Sequence, residues 1–215
     1  MRITKFGHAC VRIEHEGATL VLDPGGLTEA EAIDGATAVL ITHEHFDHYS
    51  ADHLRRTDAE IFTVAGVAAA IEAGAPDLRE RVTVVAPGEA FIVSGIAARA
   101  VGDQHAIIHP ELPLIDNSGF VLDLAGTKVF HPGDALVGPG EQVDLLLAPS
   151  SAPWLKASEA VDFVRAVRAA RNVPIHDAIY TAPGHAVLDN LMNNLVVPRG
   201  LEWTRVAVGE DVPGL

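Results

Sequence analysis

A chain of 215 residues and 22.7 kDa has room for one domain, or two similar halves around a shared core, and little room for a separate regulatory unit. Apolar residues make up 48% and charged residues 20%, with a mean hydropathy of +0.23, which excludes general disorder and low-complexity architecture. The formal net charge of −14 repels phosphate backbones and anionic surfaces, so neither nucleic acid nor a membrane is an expected partner.

No apolar run approaches the roughly 18 residues that a membrane span needs, and Met1 to Gly17 lacks the charged-then-apolar order of a signal peptide. A soluble, cytoplasmic protein is expected. The single cysteine, Cys10, excludes an intrachain disulfide and any Cys-rich zinc module, and reads as a small buried residue.

The first third predicts short strands at Ile3 to Phe6, Cys10 to Ile13, Ala18 to Leu22 and Ala38 to Ile41, with a turn at Asp23-Pro24-Gly25-Gly26. A helix capped by Ser50 follows, then a strand at Ile61 to Val64 and a helix over Val67 to Ala73. Further strands are expected at Val82 to Val85, Ala90 to Val93, Ile96 to Val101, Gly119 to Leu124, Lys128 to Phe130 and Leu145 to Leu147. Val161, Val164 and Val167 recur at helical spacing between Ser158 and Arg171, with Ser158 as the expected cap. Val173 to His176 predicts a strand, Val187 to Leu195 a helix and Trp203 to Val208 a closing strand. Hairpin-grouped strands with interspersed helices imply two packed sheets covered by helices, in one unit over residues 1–215.

The eleven histidines are concentrated where chemistry is expected. The apolar strand Ala38 to Ile41 and Thr42 run directly into His43-Glu44-His45-Phe46-Asp47-His48. From this chain's His and Asp frequencies, HxHxDH arises by chance in roughly one such sequence in five hundred. His43 and His45, two apart in extended backbone, point to the same side and suit one metal, while Asp47 and His48 fall where the loop turns and can face a second. Imidazole with carboxylate suits zinc, manganese or iron, and four ligands cannot fill two sites, so more must come from later in the chain.

The motif resembles the signature of the metallo-β-lactamase superfamily. Phe6-Gly7-His8-Ala9, Leu22-Asp23-Pro24, Phe130-His131-Pro132-Gly133-Asp134 and Val173-Pro174-Ile175-His176 occur in the order of its L-ascorbate-6-phosphate lactonase-like branch, so the resemblance spans nearly the whole chain. It implies an α+β fold, an αββα four-layer sandwich of two similar halves, with two metals at one sheet edge. It further implies His43, His45 and His105 on one metal, Asp47, His48 and His176 on the other, and Asp134 bridging them. His185 is the competing candidate for the place given to His176, and is expected in a loop lining the pocket. His8 and His131 are candidates to contact substrate or to orient a ligand; His15, His53 and His109 read as surface residues. Asp23 has two readings, a buried aspartate that orders the metal loops or a plain turn carboxylate. Where the family has Gly-Asp-Thr this chain has Gly133-Asp134-Ala135, which removes a hydroxyl.

The expected activity is hydrolysis of a small-molecule lactone or ester by a metal-bridged hydroxide, with two divalent ions, zinc first and manganese or iron as the other fits. Asp47 would shuttle the proton and His8 or His131 would protonate the leaving group. A phosphodiesterase or nuclease of the same fold, and a non-catalytic metal-binding sensor, are the competing readings. A small, even anionic, substrate is compatible with the charge, because bound cations reverse the field locally. A homo-oligomer is compatible with this composition.

Overall fold

In the computed structural model, which describes every residue from Met1 to Leu215, each half of the chain forms one sheet. Strands β1 (Arg2–Lys5), β2 (Val11–His15), β3 (Ala18–Leu22), β4 (Ala38–Ile41), β5 (Glu60–Thr63) and β6 (Val82–Val84) lie side by side in chain order. The first three are antiparallel neighbours and the rest pair in parallel. The second sheet follows the same plan. Strands β7 (Ala90–Val93), β8 (Ile96–Val101), β9 (Gly119–Leu124) and β10 (Thr127–His131) are antiparallel, and β11 (Leu145–Pro149), β12 (Arg171–Ile175) and β13 (Glu202–Trp203) continue in parallel.

The apolar pattern explains the layering. In β4, Ala38 and Leu40 enter the core between the sheets, while Val39 and Ile41 face the opposite way, where they pack with residues of α1 (Ala51–Leu54) and α2 (Ala65–Gly74). In β11, Leu145 and Leu147 join the central core, whereas Leu146 and Ala148 pack with Val161 and Val164 of α3 (Ala157–Val167) and Leu188 and Met192 of α4 (Ala182–Leu195). Strands buried on both faces read as continuous apolar runs, and their outer faces require helical cover. The order is therefore αββα, as expected. No helix is long and apolar enough to cross a membrane.

Three expectations are corrected. Helix α3 is capped by Lys156, not Ser158: the Glu159 carboxylate accepts the Lys156 backbone N–H at 3.0 Å, which starts the helix two residues earlier. Helix α4 begins at Ala182, with Pro183 and Gly184 inside its first turn, so His185 is helical and not on a loop. The closing strand stops at Trp203, because the following segment leaves the second sheet to pair with the first. Lys5 N–H donates to Glu210 O at 3.0 Å, and Val212 N–H to Ile3 O at 2.7 Å, satisfying donors and acceptors that the edge strand β1 would otherwise leave to water.

Candidate metal centre

The donor residues lie beyond strand ends that meet along one edge. Asp23 follows β3, His43 to His48 follow β4, His105 follows β8, Asp134 follows β10 and His176 follows β12. Open parallel sheets gather ligands in this way, at the carboxyl ends of their strands. The turns that aim them are tight. Gly133 has a φ of +62°, and a Cβ there would lie 2.3 Å from Asn117 Oδ1 and 2.7 Å from Thr42 Cβ, so no other residue fits beside Asp134. Asn117 secures that turn from both sides, donating to Pro132 O at 3.1 Å and accepting from Asp134 N at 2.9 Å. His8, Asp23 and His176 all hold left-handed backbone, at φ of 59°, 47° and 53°. Such strain in non-glycine residues persists only where surrounding contacts enforce it.

Hydrogen-bond partners fix the histidine tautomers. Nδ1 of His48 donates to Asp23 Oδ2 at 2.7 Å, Nδ1 of His105 to Ala106 O, and Nδ1 of His176 to Ser151 O. Thr42 Oγ1 donates to Asp23 Oδ2, so its lone pair receives Nδ1–H of His43 at 3.0 Å. Each of the four rings therefore turns its Nε2 inward, where it can offer a lone pair to a cation, the arrangement that orients imidazoles as metal ligands.

Those lone pairs meet in two adjoining gaps. One is bounded by His43, His45, His105 and Asp134, the other by His8, Asp47, His48 and His176, with the donor atoms of each group within 4.8 Å of one another. Asp134 reaches both. Its Oδ1 lies 3.2 Å from His48 Nε2, and its Oδ2 lies 3.3 Å from His105 Nε2 and 3.0 Å from His176 Nε2. Yet His48 Nε2, His105 Nε2, His176 Nε2 and Asp134 Oδ1 are buried without a hydrogen-bond partner. Orphaned acceptors at such spacing would cost several kcal/mol with nothing between them, on the order of 1–3 kcal/mol each. A tetrahedral ion with bonds of about 2.0–2.1 Å spaces its ligands by about 3.3–3.4 Å, close to the 3.0, 3.2 and 3.3 Å that separate Asp134 from His176, His48 and His105. The residues present fit a pair of metal ions.

Charge leads to the same conclusion. Burial alone would raise the Asp134 carboxyl, but His48 and His176 outweigh it and hold Asp134 well below the usual carboxylate range. Burial would lower His48, but Asp134 and Asp23 raise it well above its ordinary value. The paired carboxylates thus demand positive charge at this point, which a divalent ion supplies without a proton. Burial pushes His43 far down, keeping its ring neutral and able to donate a lone pair. Asp47 is raised by burial but held at about 2 overall, chiefly by its hydrogen bond from His8 and by His48 and His176.

The structure brings together His8, His43, His45, Asp47, His48, His105, Asp134 and His176. It holds His131 apart: this fully buried ring donates to Ala9 O at 2.9 Å and accepts from Gly133 N at 3.1 Å, leaving no nitrogen for substrate. His8 is also fully buried. Its Nδ1 accepts from Ala178 N at 3.2 Å, so its Nε2 carries the proton and donates to Asp47 Oδ2 at 3.0 Å. That proton places His8 behind Asp47 and not in line as a ligand. Asp23 is a buried acceptor of Thr42 N–H, Thr42 hydroxyl and His48, which settles its two readings in favour of ordering the metal loops. His185 donates to Asp177 O at 2.8 Å and lines a cleft next to His8. His109 is exposed, whereas His15 and His53 are half-buried. Thr42, Asn117, Ser151 and Trp154 escaped the sequence reading; the signal that could have flagged the last two is their place just past β11, between the two strands that lead to Asp134 and His176.

A sequence-family model described as a beta-lactamase superfamily domain matches residues 2–176. Protein Rv0786c of Mycobacterium tuberculosis is 43% identical over 187 residues, covering 83% of this chain and 85% of the relative. A UPF0173 metal-dependent hydrolase of Pyrobaculum arsenaticum is 29% identical over 196 residues, covering 82% and 84%. The solved structure of Igni18, a novel metallo hydrolase from Ignicoccus hospitalis, superposes with a TM-score of 0.75 at 19% identity over 98% of this chain and 97% of that one, a likeness of fold. The chain belongs to the metallo-β-lactamase superfamily.

Proposed function

We propose that this chain is a metal-dependent hydrolase that holds two divalent metal ions and opens a small-molecule lactone or ester. The observation that supports it most is the convergence of three imidazole Nε2 atoms, of His48, His105 and His176, on a carboxylate they do not hydrogen-bond. His43, His45 and His105 would hold one ion, Asp47, His48 and His176 the other, and Asp134 both. Zinc suits imidazole with carboxylate, and manganese or iron are the other candidates. Two such cations, when bound, would supply a lowered pKa for water and polarisation of the oxygen of the bond under attack.

The chain's own groups then have distinct tasks. Asp47, ionised through the neutral range, orients the attacking water, takes up the proton it loses and passes it to the leaving oxygen. His8, held by Ala178 N, keeps Asp47 aimed through its Nε2–H. His131 acts on the framework, tying the Ala9 carbonyl to the Gly133 turn. The cleft beside His8, about 540 Å³ and lined by Leu27, Tyr180, His185 and Arg205 among others, is of a size for a compact molecule. The resemblance to the ascorbate-phosphate lactonase-like branch supports a lactone or ester. Elemental analysis of the purified protein, paired with assays on lactones, esters and phosphodiesters, tests the proposal: about two equivalents of metal with turnover of a lactone or ester is expected. Turnover of phosphodiesters alone would move the reading to that chemistry, and metal without any turnover would favour a sensor.

A further inference from the structure

We propose that Trp154 is a positioning residue of the metal centre: its indole N–H holds the Asp134 oxygen that lies against a donor of each gap, and so sets the direction of the other oxygen. The inference rests on the two-metal reading above. Trp154 stands half-buried in the turn between β11 and α3, and its Nε1 donates to Asp134 Oδ2 at 3.1 Å. Its ring meets those of His105 and His176 edge-on, at centroid separations of 5.9 and 6.3 Å, so the indole packs against a ring from each gap.

Asp134 needs such a support. The next residue, Ala135, brings no hydroxyl, and the indole is the one hydrogen-bond donor on the side chain, since Oδ1 has none. With Oδ2 held beside His105 and His176, rotation about Cβ–Cγ is blocked and Oδ1 is left turned towards His48 Nε2. An indole also suits the task chemically. It has one donor and no acceptor, so it steadies an ionised carboxylate without competing for the metal, as a hydroxyl, amide or imidazole in its place would. The same short turn supports a second ligand, because Ser151 O receives Nδ1–H of His176 and Ser151 Oγ donates to His176 O at 2.6 Å. One turn thus sets the direction of two donors from two different strand ends.

The test uses the full chain and its two tryptophans. Trp203 donates to Asp189 Oδ1 at 2.8 Å and touches none of the metal-site donors, so Trp203→Phe leaves Trp154 as the sole indole. Cobalt titrated into Trp203→Phe should quench its emission in step with metal uptake. Trp154→Phe keeps a packed ring but loses the N–H. It should retain the circular dichroism of the parent while binding its second equivalent of zinc about tenfold more weakly in chelator competition. Unchanged zinc affinity in Trp154→Phe, or emission in Trp203→Phe that ignores bound cobalt, overturns the role of Trp154 alone, provided the parent binds two equivalents. A parent chain that binds no metal overturns this inference and the two-metal reading together. Should Trp154→Phe fail to fold, emission in Trp203→Phe that ignores bound cobalt still overturns the proposal.

Discussion

His48 Nδ1 lies 2.7 Å from Asp23 Oδ2, and neither side chain is exposed to solvent. Asp23 is an all-acceptor group that receives three donors at once, from Thr42 N, Thr42 Oγ1 and His48 Nδ1. It thereby fixes Thr42, just ahead of the metal loop, and the tautomer of His48 at the loop's end.

Asp23→Asn follows directly as a prediction. Either orientation of the amide sets its NH2 against a donor, so one contact becomes repulsive while the volume is unchanged. Metal affinity should fall by about 10- to 100-fold, the range typical of lost ligand-orienting contacts. Chelator competition checks it; wild-type affinity in the variant would show that the pair is dispensable.

The two late histidines separate cleanly. His176→Ala removes an Nε2 that lies 3.0 Å from Asp134, so metal content after dialysis against zinc should drop to about one equivalent. His185→Ala removes only a hydrogen bond to Asp177 O and one wall of the cleft, so both equivalents should remain while KM rises. Elemental analysis with steady-state kinetics distinguishes them, and His53→Ala, whose Nδ1 meets Pro24 O, should change neither quantity.

Cys10 is fully buried in a small cluster with Val21 and Ala32, and burial with the nearby Asp23 pushes its thiol far up. The thiolate is the reactive form, so raising the pH to 9 should not expose it to a thiol reagent. Labelling is expected only after denaturation. Stoichiometric reaction of the native protein would contradict the packing of β2 against β3.

Much of this is legible in the sequence, for a physical reason. A buried parallel strand must be apolar on both faces, so Ala38 to Ile41 announced itself, and His43 to His48 sit within six residues of one another where spacing alone carries information. Contacts made by topology carry no such signal. Trp154 and Asp134 are 20 positions apart, and Asn117 and Asp134 are 17; nothing in either local pattern states that β9 begins where β10 and β11 end. The Lys156 cap was hidden because the Glu159 carboxylate, not a Ser or Thr, performs the capping. Lys5 is the clearest case. Nothing local marks this lysine as buried, yet it is 1% exposed, since Asp177 from the opposite half and the Phe6 carbonyl accept its ammonium at 3.0 Å.

Lys5→Met should therefore be costly. Replacing one member of a buried ion pair leaves the other unpaired, at about 3–5 kcal/mol. Asp177 keeps Arg205 at 3.0 Å, which places the loss near the lower end, about 3 kcal/mol. Urea denaturation should show the decrease. A midpoint equal to wild type would mean that the pair contributes no more than a methionine in contact with the same walls.

The last prediction sets the global field against the local one. A net charge of −14 repels long polyanions before they reach the strand ends, while two divalent cations among the histidines would draw in one compact anionic or polarised group. A small lactone, ester or single phosphodiester should therefore be a far better substrate than an RNA oligomer. Salt sharpens the contrast: binding a small molecule releases few counterions, so its turnover should change modestly as ionic strength rises, whereas an RNA held along its backbone would lose affinity steeply. Both substrates are to be assayed with the same metal-loaded protein across a salt series. Efficient RNA cleavage with steep salt inhibition, and no turnover of the small substrates, would replace the lactone or ester reading with a nuclease.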